Sequence, residues 1–194
     1  MRYEKGRKDT TRQRIVEAAA QRFRREGIEA VGIGSLMAGI GLTQGGFYNH
    51  FESKDDLVRE VVGHSLRAKL EPMRALNAGK RHGGIARIVD WYLSTAHRDD
   101  PAEGCTCAAL AMEIARSSAS TRAAFTGELL ATLELIAEQL PASLKPKQRS
   151  DKAQAIFASM VGSLALARAI DDPALADHLL AAGRRAALVL AQAA

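Results

Sequence analysis

Apolar residues recur at helical spacing along almost the whole chain, and the sustained apolar–polar alternation that marks strands is missing. Ile15, Ala19 and Phe23 stand at i, i+4 and i+8 and predict a first helix from about Thr10 to Arg25, ended by Gly27. Leu36, Ile40, Leu42, Phe47 and Phe51 supply the apolar side of two short helices that close a three-helix core with the first. Ser53-Lys54-Asp55-Asp56 reads as a helix start, with Ser53 capping the amide three residues on and Asp56 reaching back. Leu57, Val61, Leu66 and Leu70 then carry an apolar face up to Pro72. A Gly/Lys/Arg/His stretch from Asn77 to Gly84 predicts a loop. Further helices follow over about Ile85–His97, Cys105–Ser117, Ser120–Leu140, Asp151–Ile170 and Pro173–Ala193. His97–Gly104 reads as a polar turn, Lys145–Ser150 as a basic connector, and Asp171-Asp172-Pro173 as a break in helix. The expectation is an all-α chain of nine helices without repeats.

The segment from Ile33 to Phe51 carries the most information. It reads as a short helix, a tight turn at Gly41 and a second short helix capped by Thr43. That second helix presents Gln44, Tyr48, Asn49 and His50, side chains that hydrogen-bond bases and phosphates. Two short helices around a glycine turn form the helix-turn-helix device that lays a helix in the major groove. Sequence-specific binding of double-stranded DNA is therefore the leading expectation.

Charge supports it. Residues 1–25 hold nine Lys and Arg against three Asp and Glu, a net +6, while the remainder nets −1 within a chain total of +5. A basic end beside a base-reading helix is the footprint of a polyanion partner. Taken alone the tail fits a solvated segment, or one drawn to acidic lipid, equally well.

Residues 11–57 resemble the N-terminal domain of the tetracycline-repressor (TetR) family of bacterial regulators. The matching pieces are Thr11-Arg12-Gln13-Arg14-Ile15 with Ala18-Ala19 and Phe23, Gly27, the Leu36–Gly41 block, Gly45-x-Phe47-Tyr48-x-His50-Phe51, and Ser53-Lys54-Asp55-Asp56-Leu57. The resemblance implies a helix-turn-helix domain over residues 1–52, with its motif at 32–51, and an effector-binding and dimerisation domain over 53–194. It also implies a cytoplasmic homodimer that represses transcription from a near-palindromic operator until a small, hydrophobic effector releases it. Carried over by residue, Thr43 caps the recognition helix, Gln44, Gly45 and Gly46 face base edges, and Asn49 reaches a base or sugar. Tyr48, His50 and Lys54 hold phosphates, while Phe47 and Phe51 are core. The chain departs from the family pattern at Gly32, Gly34, Gly39 and Gly46, and each mid-helix glycine costs roughly 0.5–1 kcal/mol against alanine. A somewhat soft head follows, leaning on Gln44, Asn49 and DNA shape for specificity.

In the remaining two thirds, Trp91, Tyr92, Met112, Phe125, Phe157 and Met160 are the apolar candidates for an effector pocket; plain core is the commoner role for any one of them, and Trp91, a large ring with a polar edge, best suits a pocket wall. Small residues (Ala158, Gly162, Ala165 and Ala169, then Ala182, Ala186 and Ala187) on the last two helices suit a dimer face built as a four-helix bundle. Cys105 and Cys107 are too close in sequence for a structural disulfide, and without a second ligand cluster they make no metal site. A thiol at a helix start suits redox or electrophile sensing. No phosphate loop, nucleophile elbow or HExxH appears, so neither an enzyme nor a cofactor is expected. Nor is there an apolar run of membrane-spanning length or a signal peptide. A low-specificity architectural DNA binder is the remaining alternative.

Overall fold

The computed structural model describes residues 2–76 and 84–192, with side chains of the first helix from Lys8 onward. The loop expected at 77–84 therefore lies, but for Gly84, outside the described residues. Ten α-helices follow one another, and the described residues hold no strand: α1 (Arg2–Glu26), α2 (Ile33–Gly39), α3 (Gln44–Phe47), α4 (Lys54–Ala75), α5 (Ile85–Tyr92), α6 (Thr95–Asp99), α7 (Thr106–Ile114), α8 (Ala119–Glu138), α9 (Pro146–Ala169) and α10 (Pro173–Gln192).

The expected count of nine helices is corrected to ten, because the helix predicted over 85–97 is two. It stops at Tyr92, and Ser94 starts α6 by accepting from the His97 N–H at 3.2 Å. A capping serine within an apolar stretch is a local restart signal. The basic connector predicted at 145–150 is also helix: Pro146 sits at the first position of α9, where its missing N–H removes no bond, and Gln148 accepts from the Lys145 N–H at 2.9 Å. Pro72 does not end α4, which runs on to Ala75. Ser53 caps α4 as expected, accepting from the Asp56 N–H at 3.1 Å. Asp56, however, reaches back to the Glu52 N–H rather than to Ser53.

Ile15, Ala19 and Phe23 of α1 are fully buried with Leu36, Met37, Phe47 and Phe51, closing the three-helix head. α4 leaves the head and packs on α8, and α9 and α10 lie along each other. At their crossing Gly183 permits close approach, since a Cβ there would fall 2.2 Å from the Ser163 hydroxyl.

Candidate nucleic-acid interface

The turn between α2 and α3 is a Schellman motif. Gly41 adopts φ +74°, its N–H bonds the Ala38 carbonyl at 3.1 Å, and the Leu42 N–H bonds the Met37 carbonyl at 2.9 Å. Arg14 of α1 ties the Ile40 carbonyl at 3.0 Å, fixing the turn against the head. Thr43 caps α3, its hydroxyl accepting from the Gly46 N–H at 3.3 Å. After Phe47 the chain continues in tight turns, with the Asn49 N–H on the Gly46 carbonyl and the His50 N–H on the Phe47 carbonyl.

Most of the expected contact residues are open to solvent. Thr43, Gln44, Gly45, Tyr48 and Asn49 are exposed, while Gly46 and His50 are half-buried. Tyr48 is 59% exposed and meets Phe47 edge-on, so its ring is anchored at one end and open at the other. Gln44 folds back over α2: a Cβ on Gly34 would stand 3.1 Å from its Oε1, so Gly34 makes room for the Gln44 side chain. Gly45 and Gly39 face open space.

His50 is tied by its backbone, its carbonyl accepting from Arg12. Burial, then the nearby Lys8 and Arg12 cations, pushes the imidazole below its ordinary range and so favours the neutral ring. Its Nδ1 is buried without a partner among the described residues, which leaves Nε2 for an outside contact. Lys54 is half-buried and reaches the Glu29 carbonyl at 3.5 Å.

Sequence reasoning misses the residues that mount this head on the rest of the molecule. Glu113 of α7 accepts from the Ile28 N–H at 2.7 Å and the Glu29 N–H at 3.3 Å, closing the turn after α1. Gly27, at φ +89°, is needed twice, for the backbone twist and because a Cβ would crowd the Glu113 carboxylate at 3.2 Å. Asp55 accepts from the Ser118 hydroxyl at 2.9 Å, and Arg24 donates to the Ala102 carbonyl at 2.6 Å. A polar residue on a short amphipathic helix signals a solvated face, so sequence spacing does not mark Glu113 as a cap.

Of the predicted pocket residues, Trp91, Tyr92 and Phe157 meet around one cavity of about 20 Å³, room for a single water. Lys69, His97 and Cys105 share its wall. The structure does not bring the other three there: Met112 is 73% exposed, Phe125 is half-buried on α8, and Met160 is wholly buried in the core. Lys69 stands at i+3 from Leu66, a position that reads as one more step of the buried stripe. His97 Nδ1 lies 2.7 Å from the Tyr92 carbonyl, and Nε2 accepts from the Cys105 N–H at 2.9 Å. The Nε2 contact requires the neutral ring, with the proton on Nδ1, and burial holds its pKa down at about 4.

Residues 15–61 match the family model described as bacterial regulatory proteins of the tetR family. That stretch, about a quarter of the chain, carries the family's N-terminal domain. The chain is 35% identical over 51 residues to the HTH-type transcriptional regulator AcrR of Shigella flexneri, a stretch covering 26% of this chain and 24% of that protein. The chain thus matches only about a quarter of that relative. In fold it is similar to a TetR transcriptional regulator from Chloroflexus aurantiacus (TM-score 0.74, 24% identity, 95% of this chain and 96% of that one). It is similar too to the regulator FadR from Bacillus subtilis, solved in complex with stearoyl-CoA (TM-score 0.67, 15% identity, 93% and 97% covered). At these identities the likeness concerns the fold. The matched stretch runs from the middle of α1 through α2 and α3 into α4.

Proposed function

We propose that this chain is a dimeric DNA-binding transcriptional repressor that leaves a near-palindromic operator when a small, hydrophobic effector binds its second domain. The carrying observation is the outward edge of α3, where Gln44, Tyr48 and Asn49 stand exposed on a turn fixed by the Thr43 cap and the Gly41 twist. In this reading residues 1–52 are the reading head and 53–194 the effector and dimer unit. Gln44, Gly45, Gly46 and Asn49 face bases, while Thr43, Tyr48, His50 and Lys54 meet the backbone.

Support for a dimer comes from α9 and α10, where Leu166, Leu175 and Val189 are 49–62% exposed beside exposed Ala158, Ala169, Ala182 and Ala186. Ala187 is fully buried within the chain and belongs to intrachain packing. The effector cavity is the one between Trp91, Tyr92 and Phe157, which must widen to admit anything larger than water. The stearoyl-CoA held by FadR shows a ligand with a long acyl chain bound by a protein of similar fold.

Selection of genomic fragments by the purified protein near physiological salt tests the reading. A recovered near-palindrome supports it. Salt-labile binding without a consensus would support the architectural alternative instead.

A further inference from the structure

Three cations from three helices converge on the loop that precedes Cys105, and none is paired with a carboxylate among the described residues. Arg24 of α1 bonds the Ala102 carbonyl and the Ser65 hydroxyl, Lys69 of α4 bonds the Glu103 carbonyl, and Arg168 of α9 bonds the His97 and Arg98 carbonyls. Gly104 makes room for this crowding, since a Cβ there would stand 2.3 Å from Arg168 Nη2. Cys105 is the N-cap of α7 and makes no side-chain capping bond. Cys107, two residues on in the first turn of α7, is buried as well. Tyr92 is 2% exposed and lines the same cavity as Cys105, and its buried hydroxyl has no hydrogen-bond partner among the described residues.

We propose that Cys105 is an oxidation site for a small hydroperoxide, with Cys107 as the thiol that resolves it and the Tyr92 hydroxyl as donor to the departing oxygen. The cavity has room for about one water, so hydrogen peroxide enters with the least widening and bulky electrophiles are excluded. The division of labour follows from position. Cys105 lines the cavity and Cys107 does not, so a peroxide in the cavity meets the Cys105 sulfur first.

The Cys105 thiolate attacks one peroxide oxygen. The S–O bond forms as the O–O bond breaks, sulfur gives up two electrons, and the leaving hydroxide takes the Tyr92 proton to become water. Solvent restores that proton. The Cys107 sulfur then attacks the Cys105 sulfenic acid, forming the S–S bond and releasing a second water with the Cys107 proton. Two cysteines one residue apart make a strained, easily reduced bond, unsuited to a permanent staple and suited to a reversible switch. That bond distorts the first turn of α7, whose far end holds the head through Glu113 on the Ile28 and Glu29 N–H groups. Loss of operator affinity on oxidation is the consequence, and this last step rests on the regulator reading above.

The test treats the reduced full-length chain with hydrogen peroxide and follows intact mass, dimedone trapping and the fluorescence of Trp91, the chain's single tryptophan and part of the cavity wall. The wild type should lose about 2 Da, and Cys107→Ser should instead gain about 16 Da, trapped by dimedone at Cys105. Both should react at least tenfold faster than free cysteine at the same pH, with a shift in Trp91 emission. Tyr92→Phe should slow the reaction about tenfold with its thermal midpoint unchanged. Oxidation of Cys107→Ser no faster than free cysteine, or first trapping at Cys107, would overturn the site. Oxidation at Cys105 that leaves DNA affinity unchanged would overturn only the link through α7. A reduced chain that binds no DNA would overturn the regulator reading and leave the thiol chemistry standing.

Discussion

The Arg12 guanidinium lies 4.1 Å from the centre of the Phe51 ring and stacks over it. The same group binds the Glu60 carboxylate and the His50 carbonyl, so one side chain of α1 joins the end of the recognition segment to α4. Replacing Arg12 with alanine removes a cation–π contact, an ion pair and a carbonyl cap together. The expected loss is about 1–3 kcal/mol in a urea melt. Arg12→Lys should recover less than half, because an ammonium lacks the planar fork. An unchanged midpoint in Arg12→Ala would contradict the account of how the head is held.

Gly39 and Gly41, two residues apart, should respond in opposite directions to alanine. Gly39 ends α2 with open space beside it, so Gly39→Ala should stabilise by about 0.5–1 kcal/mol. Gly41 stands at φ +74°, which alanine tolerates poorly, so Gly41→Ala should cost about 1 kcal/mol or more. Thermal melts of the two variants decide this, and matching shifts would refute it.

Glu113 should act as a joint between head and body. Glu113→Ala leaves the Ile28 and Glu29 N–H groups without their acceptor, so amide exchange at these two positions should quicken by about tenfold or more, while the buried amides of α9 keep their protection. Uniform loss of protection across the chain would show global unfolding instead of a loosened joint.

Acid should destabilise the protein through His97. Its pKa is held at about 4 in the fold against an ordinary 6.5, so the folded state favours the neutral ring. That contribution is complete above about pH 6.5 and is lost as pH falls towards 4, amounting to about 3 kcal/mol at most. His97→Gln, which can still accept from the Cys105 N–H, should flatten stability across that window. Urea melts at pH 7, 5.5 and 4.5 read the difference, and parallel curves for the two proteins would sink the assignment.

The head was legible in the sequence because its signals are local. Gly41, the Thr43 cap, the buried Phe47–Phe51 pair and the Ser53 cap each act within a few residues and stand as expected. The body was less legible. Ser94 and Pro146 are local signals too, but one lay inside an apolar stretch and the other inside a basic one, and each hid a helix start. Met112 shows the deeper limit. It stands on an Ala-rich helix whose apolar residues fit several faces, and only packing against α1 and α9 turns it outward. Likewise, the meeting of Lys69, His97 and Cys105 at one cavity is set by how three separate segments dock, which helical periodicity does not encode.

The central claim is that the exposed edge of α3 grips DNA, and binding of a selected fragment by Tyr48→Ala/His50→Ala tests it most directly. The double variant should keep wild-type helicity, melting midpoint and oligomeric mass, yet lose about 100-fold or more in affinity near physiological salt, as expected for two lost backbone contacts. Binding as tight as that of the wild type would contradict the placement of the interface.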